Sequence, residues 1–109
     1  MNSSAPPTIT ISEADTPETL QLFRVLAGEL LTEYGFDLSF QNVDEEMAHL
    51  PGRYAPPTGA VLLAFVNDEP AGCVAMRPLE EGICEMKRLY VRPAFRSLKL
   101  GKLLSEHIL

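Results

Sequence analysis

From Ala60 onward the chain holds three β-rich runs, AVLLAFV (60–66), AGCVAMR (71–77) and ICEMKRLYV (83–91), separated only by the turn-forming segments NDEP and PLEEG. Parallel neighbours need a crossover of a dozen or more residues, and these connectors are far too short for one. Three consecutive antiparallel strands are therefore predicted, and whatever flanks them has to cover the sheet they form. The first run is also the longest apolar stretch, seven residues, far below the roughly 20 a helix needs to cross a bilayer. In the third run, strict alternation places Glu85, Lys87, Leu89 and Val91 on one face and Cys84, Met86, Arg88 and Tyr90 on the other. Both sets are apolar at the Leu89–Val91 end, so that end is expected to be covered on both faces.

The flanking sequence has a different period. Thr8 to Ile11 alternates β-branched residues and predicts a short edge strand. Thr16, Pro17 and Glu18 form a helix start: a capping hydroxyl, a residue suited to the first helical position, and a negative charge near the positive end of the dipole. Leu20, Phe23, Ala27, Leu30 or Leu31, and Tyr34 then recur at helical spacing and share one face, with Gly35 as the stop. Asn42 followed by Glu45 resembles a capping box and predicts a second helix from about Val43 to Leu50, before the loop PGRYAPPTG at 51–59. After Arg92-Pro93, Leu98 to Leu109 predicts a last helix with Leu100, Leu103, Leu104 and Ile108 in its stripe. The order is β-α-α-β-β-β-α, an α/β (α+β) domain occupying residues 1–109 as a single unit, with a mostly antiparallel sheet and flanking helices.

Charge is distributed unevenly. The net charge of −6 argues against a general nucleic-acid coat, yet residues 1–82 hold three basic groups against thirteen acidic ones and residues 83–109 hold six against two. Positive charge gathers in the last quarter, which points to a local anion site. The amino terminus, MNSSAPPTIT, has no basic segment followed by an apolar core, so a cytoplasmic protein with no membrane association is expected. Cys73 and Cys84 lack CxxC spacing and lie in apolar stretches, so both are expected as buried thiols. His49 and His107 have no ligand-spaced partners, and no metal site is expected.

The segment CEMKRLYVRPAFRSLKLGKLL (84–104) runs from strand through a basic turn into a helix. The unpaired N–H groups and dipole of a helix start suit a phosphate, and Arg96, Lys99 and Lys102 add full charges there. A solvated basic helix face is the alternative reading of the same spacing. A phosphate-binding P-loop is excluded: Gly101-Lys102 offers the pair, but Arg96 stands where the first glycine belongs and Leu103 where Ser or Thr is required.

KRLYVRPAFRSLKLGKLL resembles the acetyl-CoA motif of the GNAT superfamily of N-acetyltransferases, through the strand ending Leu89-Tyr90-Val91 followed by Pro93, Phe95, Arg96 and Gly101. The resemblance implies acetyl-CoA as co-substrate and a primary amine, on a small molecule or a protein, as acceptor. It places Leu89, Tyr90 and Val91 beside the pantetheine arm and the thioester. It assigns the pyrophosphate to the main chain of the turn Arg96, Ser97, Leu98, Lys99, Leu100, Gly101 and Lys102. Lys99 departs from the family pattern by occupying the position of its first glycine, where a backbone can approach a ligand closely or take positive φ. The family fold also implies further strands and a helix after this point, so the chain is expected to be incomplete at its carboxyl end. The edge of the fourth strand is then open, with a homodimer through that edge or by segment exchange as one consequence.

Direct attack of an amine on a thioester needs a base, oxyanion stabilisation and an acid for the thiolate. By the same resemblance Glu85 is the candidate base, a role that requires burial to raise an ordinary carboxyl; the competing reading pairs it with Lys87 or Arg88. The backbone N–H of Leu89 or Val91 is expected to face the oxyanion, and the acid to lie beyond Leu109, with Tyr90 a poor substitute. Tyr34, Phe36 and the 51–59 loop are expected on the acceptor side, where Asp37, Asp44, Glu45 and Glu46 would suit a cationic amine. Two other readings are a non-catalytic acyl-CoA-binding or dimerising remnant of the domain, and a nucleic-acid module. The second is disfavoured because the basic tail offers only Tyr90 and Phe95 for stacking.

Overall fold

The computed structural model describes residues 6–33, 48–56, 59–80 and 82–108. The elements are β1 (Ile9–Glu13), α1 (Pro17–Glu33), β2 (Ala60–Val66), β3 (Glu69–Glu80), β4 (Ile83–Val91) and α2 (Leu100–Ile108), with short 3-10 turns at Gly52–Tyr54 and Pro93–Leu98. The four strands form one antiparallel sheet in the order β1-β2-β3-β4. This is the mixed α/β architecture expected. The helix expected over 43–50, apart from its last three residues, and Tyr34, Phe36 and the acidic residues between 37 and 46 lie outside the described residues.

Local chemistry explains the boundaries. α1 begins at a reciprocal cap: the Thr16 hydroxyl accepts the Thr19 N–H at 3.1 Å, and the Thr19 hydroxyl accepts the Thr16 N–H at 2.9 Å. Asn67 and Asp68, at φ 50° and 70°, make a two-residue hairpin turn between β2 and β3. The carboxamide oxygen of Asn67 also accepts the Thr8 N–H at 2.9 Å, which ties in the start of β1. β3 runs twelve residues, longer than the 71–77 expected, because its two prolines are absorbed at irregularities in the ladder. Pro70 sits beside the register shift at Ala64/Phe65, and Pro78 beside the shift between Pro78 and Glu80. At such places a missing N–H costs no ladder bond.

The sheet is covered on both sides. Phe23, Leu26, Ala27, Leu30 and Leu31 of α1 pack on Val61, Leu63, Cys73, Ala75 and Tyr90. Leu100, Leu104 and Ile108 of α2 pack on the opposite face, against Leu62, Ala64, Val66, Ala71 and Val74. β2 alternates between these two clusters, and this is why its sequence is apolar without interruption. Among the described residues no helix is long and apolar enough to cross a membrane.

The last helix starts later than expected. Residues 93–98 take a 3-10 turn, Lys99 adopts the left-handed conformation at φ 59° and ψ 34°, and α2 begins at Leu100. The reversal at Lys99 resets the chain direction, so that Leu100 enters the core while Lys99 stays exposed.

Candidate functional site

β4 is an edge strand among the described residues, and its two ends differ because it is bulged. The pairings Gly72↔Val91 and Cys73↔Tyr90 are followed by Ala75↔Lys87, which leaves Val74 opposite both Arg88 and Leu89. Arg88 takes φ 61° to accommodate the extra residue. This corrects the simple alternation expected for the strand. Glu85 and Lys87 lie opposite Arg77 and Ala75 and share the α1 face, whereas Leu89 and Val91 pack with the α2 cluster and Tyr90 with the α1 cluster. The bulge shifts the phase of the pleat, and sequence alternation carries no trace of it.

Past the bulge, the Arg92 N–H bonds the Ala71 carbonyl at 2.8 Å. Backbone groups alternate along an antiparallel strand, so those of Leu89 and Val91 are turned away from β3 toward the open edge. The Val91 carbonyl accordingly accepts from Arg96 Nε at 2.9 Å. Directly beyond this edge come the 3-10 turn, with Arg96 and Ser97 exposed, then Lys99, and then the first turn of α2 with Lys102 exposed. The first α-helical bond of α2 runs from the Leu103 N–H to the Lys99 carbonyl at 3.3 Å. The N–H groups of Leu100, Gly101 and Lys102 thus occupy the positions an α-helix leaves without an i−4 partner. Leu100 is fully buried and Leu98 packs against the α2 cluster, so this stretch can offer a ligand its backbone rather than those side chains.

Two ion pairs unforeseen in the sequence fix this corner to α1. Arg92 grips Glu29 with two hydrogen bonds, Nε to Oε1 at 2.9 Å and Nη2 to Oε2 at 2.8 Å, and a third reaches the Pro70 carbonyl at 3.1 Å. Arg96 Nη2 contacts both Glu33 oxygens at 2.7 and 2.6 Å, and its guanidinium lies 5.8 Å from the centre of the Tyr90 ring. Acids four apart on α1 meet arginines four apart, Arg92 just before the 3-10 segment and Arg96 within it, and that matched spacing is the signal that could have revealed them. The Arg92 hydrogen bonds hold the Glu29 carboxyl below its usual range, against an opposing effect of burial. Burial, and then the charge of Glu29, push the Tyr90 phenol up.

Glu85 pairs across the ladder with Arg77, Nε to Oε1 at 3.0 Å, and not with Lys87 or Arg88 as the sequence had offered. Cys73 is buried as expected, but Cys84 is exposed, because it lies on the edge strand before the bulge. Tyr54 from the 51–59 loop is a core residue, edge-on to Phe23 with ring centres 6.1 Å apart. Among the described residues no group of three His, Cys, Asp or Glu side chains could hold a metal ion.

Comparison with known proteins places this geometry. Residues 21–109 match the acetyltransferase (GNAT) family model. An uncharacterised N-acetyltransferase of Schizosaccharomyces pombe is 49% identical over 106 residues, which cover 95% of this chain and 65% of that protein. A GNAT-family acetyltransferase from Staphylococcus aureus superposes with a TM-score of 0.77 at 18% identity, over 93% of this chain and 64% of its own. An aminoglycoside 6'-N-acetyltransferase solved with coenzyme A has a TM-score of 0.61 at 25% identity, over 90% of this chain and 52% of its own. The chain therefore spans about two thirds of the yeast relative it matches. The antiparallel sheet, the bulged fourth strand and the basic turn into α2 are those of a chain that belongs to the GNAT family of acetyltransferases.

Proposed function

We propose that the chain is the coenzyme-binding part of an N-acetyltransferase that takes acetyl-CoA as co-substrate and a primary amine as acceptor. The observation that carries the reading is the open β4 edge, with Leu89 and Val91 backbone groups facing outward, running directly into a turn that bears Arg96, Lys99 and Lys102. Edge carbonyl and N–H groups suit the amides of a pantetheine arm, and a basic helix start suits a pyrophosphate. Acetyl-CoA, when bound, supplies the activated thioester. Leu89, Tyr90 and Val91 would then hold the arm through their backbone, and the main chain of Arg96, Ser97, Leu98, Lys99, Leu100, Gly101 and Lys102 would hold the phosphates. The N–H of Leu89 or Val91 would stabilise charge on the carbonyl oxygen. In this reading Arg96 exchanges part of its pairing with Glu33 and Val91 for phosphate.

The reading is tested by thermal melting of the chain with acetyl-CoA. At a hundredfold excess over Kd the expected stabilisation is about 2.7 kcal/mol, and no shift at saturating ligand would reject it. Glu85 is the candidate base only if a base is needed on the α1 face, and its pairing with Arg77 supports the competing structural role. Glu85→Gln decides: loss of turnover on an amine panel keeps it as base, and unchanged turnover removes it.

A dimerising role is favoured by one observation. Ile83 and Met86 are 47% and 40% exposed on β4, whose outer side is unpaired among the described residues. A homodimer through that edge predicts a doubled mass in sedimentation, returned to one copy by Met86→Lys. A single-copy mass for the unmodified chain would reject it.

A further inference from the structure

We infer that Gly72 and Cys73 on β3 are positioning residues that set the offset of Leu89–Val91, and through it the shape of the proposed acetyl-CoA edge; the inference rests on that reading of the edge. Three observations meet at this point. Cys73 is fully buried and its thiol donates to the Arg88 carbonyl at 3.2 Å, the carbonyl of the residue that carries the bulge at φ 61°. The neighbouring Gly72 faces Val91 in the ladder, and a Cβ there would stand 2.7 Å from the Tyr90 carbonyl oxygen and 3.4 Å from the Val91 Cα. The register shift falls between Cys73 and Ala75, directly beside this pair.

Each contact has a distinct mechanical effect. The thiol donates to the carbonyl of the bulge residue itself, which holds the extra residue at Arg88 and not at a neighbouring position. Burial pushes this thiol up to about 12, so it remains protonated, and therefore a donor, throughout the neutral range. Gly72 lets β3 approach the Tyr90 carbonyl more closely than any side chain permits, because the atom in the way is backbone and cannot swing aside. Together they fix where the phase of β4 changes. That phase decides that Leu89 and Val91 lie on the α2 side and that their N–H and C=O groups face the edge. Gly72 and Cys73 are both buried and paired to β4, so they act through that strand and are not catalytic.

The test measures acetyl-CoA affinity by calorimetry and amide hydrogen exchange on the full chain. The variants are Cys73→Ala, Cys73→Ser and Gly72→Ala, with Val61→Ala as a core control on β2. Cys73→Ala is expected to weaken binding about fivefold, the scale of one lost hydrogen bond, and Cys73→Ser, which keeps a donor, to recover most of it. Gly72→Ala is expected to cost tenfold or more, as a misplaced binding edge does. Val61→Ala should lower the melting temperature with affinity unchanged. Exchange of the Arg92 amide, bonded to the Ala71 carbonyl, should accelerate in the first and third variants more than in the control. Wild-type affinity in Cys73→Ala, or affinity falling in Val61→Ala in step with stability, would overturn the inference. Failure of the unsubstituted chain to bind acetyl-CoA would instead overturn the coenzyme reading, and Arg92 exchange alone then decides whether Gly72 and Cys73 set the offset.

Discussion

The two halves of β4, divided at Arg88, are built on different principles. Before the bulge, Ile83 and Met86 are exposed, Cys84 is exposed, and the polar tie across the ladder is the Arg77–Glu85 pair. After it, Tyr90 is buried under α1, Leu89 and Val91 pack toward α2, and Arg92 is clamped on Glu29. In the first half only Met86 and Lys87 face β3 residues that β2 also pairs, and Ile83 to Glu85 face β3 residues beyond the end of β2, whereas the second half is a strand packed between α1 and α2. The proposed site begins in that second half. There the backbone is held firmly enough to present fixed hydrogen-bonding groups at an open edge, which is what binding a flexible arm requires.

The contrast is broken most severely by truncating a side chain in each half. Tyr90→Ala should cost about 3 kcal/mol, as buried aromatic truncations do, whereas Met86→Ala should change stability by less than about 0.5 kcal/mol. Urea unfolding of the two variants compares them directly, and similar losses would erase the distinction.

A smaller effect tests the clamp. Glu29→Gln should cost about 1 kcal/mol at neutral pH, in keeping with a half-exposed bidentate pair. Its pH dependence has a definite sign. The Glu29 carboxyl titrates lower in the folded chain than in the unfolded one, so between those two values the unfolded chain binds more protons and stability rises with pH. The contribution is complete above the unfolded value of about 4.3 and is lost as pH falls through the lowered folded value. Urea midpoints measured from neutral to acid pH should therefore fall less steeply in Glu29→Gln than in the parent. Parallel curves would show that the clamp is not stabilising.

The smallest effect concerns Lys99, which ends the 3-10 turn with φ 59°. Lys99→Gly removes the Cβ strain of that conformation at the cost of a freer unfolded chain, for a net gain of about 0.5 kcal/mol. Acetyl-CoA should also bind more tightly to this variant. Weaker binding in calorimetry would show that the lysine charge contributes more than its stem obstructs.

Much of this molecule was legible in its sequence. The antiparallel meander followed from connectors too short for crossovers, α1 from its cap and spacing, and the family from the residues between Leu89 and Lys102. Leu26 escaped the expected stripe of α1, although it is among its most buried residues, because a helix packed across a twisted sheet buries a band wider than one line of i and i+4 positions. β3 outran its expected ends because prolines that discourage strand in a sequence pattern are tolerated beside bulges. Strict alternation put Glu85 on one face with Leu89 and Val91, and the extra residue at Arg88 separates them; its partner, Arg77, comes from the facing strand.

By itself the sequence determined periodicity, turn chemistry and the gathering of positive charge near residue 96, because each depends on residues close together in the chain. Tertiary structure alone decided which face each half of β4 presents, that Glu29 and Glu33 meet Arg92 and Arg96 across 63 positions, and that Gly72 and Cys73 stand against the bulge. Those relations arise between strands and helices brought together only on folding. A single inserted residue there inverts every side chain that follows while leaving the local pattern intact.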